Sequence, residues 1–122
     1  MAERPRPGDQ QLPIPNDGPS MHDLVIEDLE RYPARSDPER RVVIALLAER
    51  KRVGLERYGS LLQAHNGRDA RRDLLEELAD AAVYAKQLAE EDRHDPAPCG
   101  ACIAYEHITS ALFRAVQIAE PS

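Results

Sequence analysis

The chain has no Trp, one Phe and only two Cys, and aromatic residues make up 4% of its 122 residues. A core without large rings is filled by Leu, Ile, Val and Ala, and that composition favours helices over sheets. No apolar run approaches the 18 or so residues of a membrane span, and no signal-peptide core is visible. These absences lead us to expect a soluble, cytoplasmic protein without a membrane partner. Positive charge is also scarce: 16 Lys and Arg stand against 22 Asp and Glu, a formal charge of −6. That balance argues against a nonspecific coat on a nucleic-acid polymer, but not against a nucleotide whose charge a cation offsets.

What the sequence does contain is helical periodicity between well-marked breaks. Five of the ten prolines fall in residues 1–20, with only Leu12 and Ile14 to bury, which predicts a disordered, Pro-rich arm. Residues 21–122 are expected to form one helical domain. Ser20 offers an N-cap to a short first helix over Met21 to Arg31, with Leu24, Val25 and Leu29 apolar and an end near Pro33. Ser36-Asp37-Pro38-Glu39 is a second start signal, and Val42, Val43, Leu46, Leu47 and Val53 carry that helix to about Tyr58, with Gly54 a weak point. Gly59 should end it, and Asn66-Gly67 should turn the chain before Arg68 and Asp69 open a third helix. A fourth follows the Pro96-Ala97-Pro98 loop, with Ile103, Leu112, Phe113 and Val116 inward and its end before Pro121. The fold class expected is all-α: an antiparallel bundle of about four helices, one short and three longer.

The third helix carries the chemistry. Asp73, Glu76, Glu77 and Asp80 share about a third of its circumference, while Leu74, Leu75, Leu78, Ala81 and Ala82 take the other side. Like charges at this spacing repel, so the stripe is either a solvated face balanced by Arg68, Arg71, Arg72 and Lys86, or a site for a hard cation. Mg²⁺ suits the second reading, because it binds through one or two carboxylates together with substrate phosphates. Glu49 and Glu56, two turns apart on the second helix, are candidates to complete such a site; as an alternative they pair with neighbouring arginines. Arg68, close to a helix N-terminus, is placed to contact phosphate, and Lys86 is assigned the same role. Tyr84 lies among the acids, where it either flanks a nucleobase or packs at the core edge.

The run Glu77-Leu78-Ala79-Asp80 with Tyr84, preceded by Arg57-Tyr58-Gly59, Leu62 and Asn66-Gly67-Arg68-Asp69, resembles the MazG-like all-α nucleotide pyrophosphohydrolases, in particular small members from actinobacteria and their phages. The resemblance spans roughly residues 53–91. It implies a helical bundle that binds Mg²⁺ and splits nucleoside triphosphates into monophosphate and pyrophosphate, in house-cleaning or phage nucleotide metabolism. Glu77 and Asp80 would then be catalytic, and Asp73, Glu76, Glu49 and Glu56 further metal ligands. It also implies a homodimer or homotetramer. The family's first acidic pair, E-x-x-E, is not matched at Glu49 or Glu56, since position 52 is Arg and position 59 is Gly; that spacing occurs upstream only in Glu27-Asp28-Leu29-Glu30. A scaffold lacking this pair could keep nucleotide binding without turnover, so a non-catalytic nucleotide-sequestering or protein-interaction module is the alternative.

Cys99-Gly100-Ala101-Cys102 stands apart from this pattern. The pair is compatible with redox chemistry, with a zinc site completed by His94 and His107, or with two small side chains buried at a helix start.

Overall fold

Each helix begins and ends where its local chemistry directs it. The computed structural model describes residues 10–31, 35–92 and 99–119. Ser20 caps α1 (Met21–Glu30), its Oγ accepting the Asp23 N–H at 3.0 Å. Ser36 caps α2 (Asp37–Tyr58) in the same way through the Glu39 N–H, with Pro38 in the first turn where its missing donor costs nothing. α2 runs unbroken through Gly54 and stops at Gly59, whose φ of 73° needs a residue without a Cβ. Asp69 caps α3 (Ala70–Glu91) by accepting the N–H groups of Arg71 and Arg72, so the helix itself starts one residue after the expected Arg68-Asp69 opening. α4 covers Gly100–Ala119. The described residues contain no named strand, and the all-α expectation of one short and three longer helices holds.

The chain divides into two compact units, Met1–Arg68 and Asp69–Ser122. The boundary falls at the N-cap of α3. In the first unit α1 packs on α2, and Lys51, toward the end of α2, donates to both carboxylate oxygens of Asp23, in the first turn of α1, at 2.9 Å. Start against end makes this pair antiparallel. In the second unit α3 packs on α4, and Lys86 near the end of α3 lies 5.3 Å from the centre of the Tyr105 ring near the start of α4. This too is an antiparallel hairpin. Small side chains, Ala82 on α3 and Ala115 on α4, supply its buried apolar positions.

The packing selects among the apolar residues of α1 and α2 and corrects the expected inward face of α4. On α2 Ile44, Leu47, Lys51, Val53 and Gly54 are half-buried, while Val42 and Leu46 stand 69% and 60% exposed. On α4 the covered stripe is Cys102, Tyr105, Ile108, Leu112 and Ala115, so Leu112 is covered as expected, but Phe113 is 76% exposed, and Ile103 and Val116 also face outward. On α1 Ile26 and Leu29 are half-buried, and Leu24 and Val25 are not.

The arm also departs from expectation. Residues 1–9 lie outside the described residues, but residues 10–20 are tied to the loop after α2. The Ile14 N–H donates to the Asn66 carbonyl, Met21 N–H to the Leu62 carbonyl, and Arg68 Nη1 to the Gln11 carbonyl. Gln63 is the centre of the clamp: its Nε2 donates to the carbonyls of Asn16 and Gly18, and its Oε1 accepts the Asn16 N–H. Ser20, Gln63 and Asn66 are the buried polar residues of the described chain, and the side-chain oxygen of each accepts a backbone N–H, as burial requires.

Candidate functional site

The acidic face of α3 follows from the way α4 covers that helix. Leu75, Leu78, Ala82 and Ala89 lie on the half-buried or buried side, and Glu76, Glu77, Asp80 and Tyr84 lie exposed on the opposite side. Asp73 is half-buried at the first turn of the helix and is not free of partners. Glu76 accepts Arg72 Nε at 3.1 Å, one helical turn away, which is the balanced-surface arrangement. Glu77 and Asp80 have no hydrogen bond or ion pair among the described residues. Two neighbouring carboxylates, exposed and unengaged, are what Mg²⁺ takes from a protein when most of its ligands are water and phosphate.

Glu49 and Glu56 do not offer this. Arg52 stands between them on α2 and binds both, through Nε and Nη2 to Glu49 and through Nη1 to Glu56 at 2.9 Å. The guanidinium holds Glu49 below the usual carboxylate range, and the two carboxylates raise Arg52 above its ordinary value. A cation would have to displace an arginine that already satisfies both acids. Arg52, which stands where an E-x-x-E beginning at Glu49 would need its second acid, engages both glutamates. Among the described residues no three His, Cys, Asp or Glu side chains converge in an arrangement that could hold a metal ion.

The basic and aromatic candidates separate as well. Lys86 falls about 140° round α3 from Asp73, on the side toward α4, where it pairs with Glu90 at 3.2 Å and lies over Tyr105. It lines a shallow groove of about 270 Å³ with Ala82, Val83 and Tyr105, away from the acidic stripe. Its expected role as a phosphate contact beside Glu77 and Asp80 is at odds with that position. Arg68 binds the arm at Gln11, and its backbone N–H donates to Asn66 Oδ1. Tyr84 is 69% exposed, so packing at the core edge does not account for it, and its ring shares the face of Glu77 and Asp80.

One buried site went unrecognised in the sequence: the Ser20, Gln63 and Asn66 cluster that fastens the arm. The signal available was the N-cap at Ser20; nothing local marks Gln63, whose partners lie 45 and 47 residues upstream. Asp23 is held below the usual carboxylate range chiefly by its hydrogen bond with Lys51. The cysteines form a second cluster at the start of α4, with their sulfurs 3.1 Å apart. Of the zinc reading's four ligands, His94 lies outside the described residues and His107 is exposed.

No protein-family model, curated protein or solved structure matches the chain.

Proposed function

We propose that the chain is a Mg²⁺-dependent nucleoside triphosphate pyrophosphohydrolase of the MazG-like kind, converting NTP or dNTP to the monophosphate and pyrophosphate. The observation that supports this reading is the pair Glu77 and Asp80: exposed, adjacent on one helix face, and without an internal partner, while Glu49, Glu56 and Glu76 are each held by an arginine. Mg²⁺ on these two carboxylates would neutralise charge on the triphosphate oxygens. Tyr84, one turn beyond Asp80 on the same face, is placed to stack on the base. Because the acid set on α3 is small, the site in this reading is completed in a homodimer or homotetramer.

The test is pyrophosphate release from a panel of canonical NTPs and dNTPs with and without Mg²⁺, beside Asp80→Ala and Glu77→Gln. Release should require the metal and fall by about a hundredfold or more in either variant, the scale of losing one charge-stabilising group at a reacting centre. Metal-independent release, or release indifferent to both substitutions, would sink the proposal.

A second reading rests on Arg52. By engaging Glu49 and Glu56 it leaves the scaffold with half of the family's acids, which suits a nucleotide-sequestering module without turnover. In that case one nucleotide raises the melting temperature and none is cleaved.

A further inference from the structure

We infer that Cys99 and Cys102 form a dithiol site for thiol–disulfide exchange, with Cys99 Sγ as the attacking sulfur, Cys102 Sγ as the resolving sulfur, and small-molecule or protein disulfides as the substrate class. This is independent of the nucleotide reading, and it uses a cluster that reading leaves unused.

The geometry comes from the helix start. Cys99 occupies the N-cap position of α4: its carbonyl accepts the Ile103 N–H at 3.1 Å, and its Sγ accepts the Cys102 N–H at 3.4 Å. Ser or Asp usually fills this position with an oxygen, and here a sulfur takes the free backbone donor at the positive end of the helix dipole. The spacing i,i+3 brings the second sulfur onto the same side, 3.1 Å from the first, in hydrogen-bond contact. A disulfide needs about 2.05 Å, so the sulfurs close by roughly 1 Å. Both side chains are half-exposed, which leaves Cys99 open to an incoming disulfide.

The same contacts make the two sulfurs unequal. The hydrogen bonds from Cys102, thiol and backbone N–H, lower the Cys99 pKa, since they favour the thiolate. Cys102 is raised by the contact with Cys99, although Lys86 on the facing helix α3 acts in the opposite direction. An easily ionised sulfur beside one that keeps its proton is the division of labour that exchange needs. The Cys99 thiolate attacks one sulfur of the substrate disulfide, whose S–S bond breaks, and the leaving thiolate takes the electron pair and a proton. Cys102 then gives up its proton and attacks Cys99 Sγ, expelling the second thiolate. The chain loses two electrons and two protons, and the substrate disulfide gains both as two thiols.

The experiment uses the full reduced chain and glutathione disulfide. At a series of reduced-to-oxidised glutathione ratios the products are acid-quenched and identified by mass and peptide mapping. The unmodified chain should form an internal Cys99–Cys102 disulfide. Cys102→Ser should accumulate a glutathione mixed disulfide on Cys99, and Cys99→Ser should react about tenfold more slowly at Cys102. Serine at position 99 keeps an N-cap acceptor, so the helix start is retained. As a measure that needs no variant, brief iodoacetamide treatment of the unmodified reduced chain should label Cys99 ahead of Cys102. Equal labelling, equal rates in the two variants, no internal disulfide at any ratio, or zinc that co-purifies and is lost in Cys99→Ser would each overturn the inference.

Discussion

Gln63 shows how much a single amide can organise. Its side chain, in a residue 7% exposed, satisfies three backbone groups of the arm and adds to the single antiparallel bridge between Ser20 and Gln63. Removing it would leave the Asn16 carbonyl and N–H and the Gly18 carbonyl to find other partners. Gln63→Ala should therefore cost about 1–3 kcal/mol in urea unfolding, and speed hydrogen exchange at the Asn16 and Ile14 amides first. An unchanged midpoint with unchanged exchange would mean that the arm is held by other contacts. The sequence predicted a disordered arm because composition reports only what a segment lacks, here apolar mass. It is silent on a polar clamp whose two halves lie 47 residues apart. The Arg52 bridge was nearer to legible, since i,i+3 and i,i+4 pairs can be read along one helix; what spacing could not decide was whether the acids would take the arginine or be left for a metal.

At the scale of the element, helix ends and the two faces of α3 were readable, and the covered faces of α2 and α4 were not. Caps depend on residues within three or four positions, and Ser20, Ser36 and Gly59 act where the sequence places them, while Asp69 caps α3 instead of lying inside it. The covered face depends on a distant partner. Val42, Val43, Leu46 and Leu47 supply two apolar stripes on α2, and α1 selects the one that also carries Lys51, whose stem is half-covered while its ammonium reaches Asp23. The two glycines of α2 separate these cases. Gly54 lies in the helix interior with open space where a Cβ would sit, so Gly54→Ala should stabilise the chain by about 0.5–1 kcal/mol through the unfolded state. Gly59 has as much room but a φ of 73°, and Gly59→Ala should destabilise by about 1 kcal/mol for the backbone strain alone. Thermal melts of both variants give the two signs directly; the same sign for both would contradict this account of the C-cap.

For the molecule as a whole, the question is what covers its apolar side chains. Each described helix pair buries one stripe of each partner, and a hairpin of two helices is too small to bury more. Val42 and Leu46 remain outward on α2, one turn apart, and in the second unit Val83 is 67% exposed and Phe113 more so. Soluble chains rarely leave such side chains grouped and uncovered unless another surface takes them. A homodimer or homotetramer, the assembly that the resemblance of residues 53–91 led us to expect, is one proposal for what covers them. Sedimentation equilibrium at micromolar concentration should give two or four times 13.7 kDa. A Val42→Lys, Leu46→Lys double variant should weaken that association by about 3 kcal/mol or more, at 1.5–3 kcal/mol for each apolar side chain returned to water, which is over a hundredfold in Kd. Circular dichroism should remain helical in the variant, because neither position lies on the stripe that faces α1. A single-chain mass for the unmodified protein would refute association outright. An oligomer indifferent to both lysines would move the interface off α2 and onto the exposed apolar residues of α3 and α4.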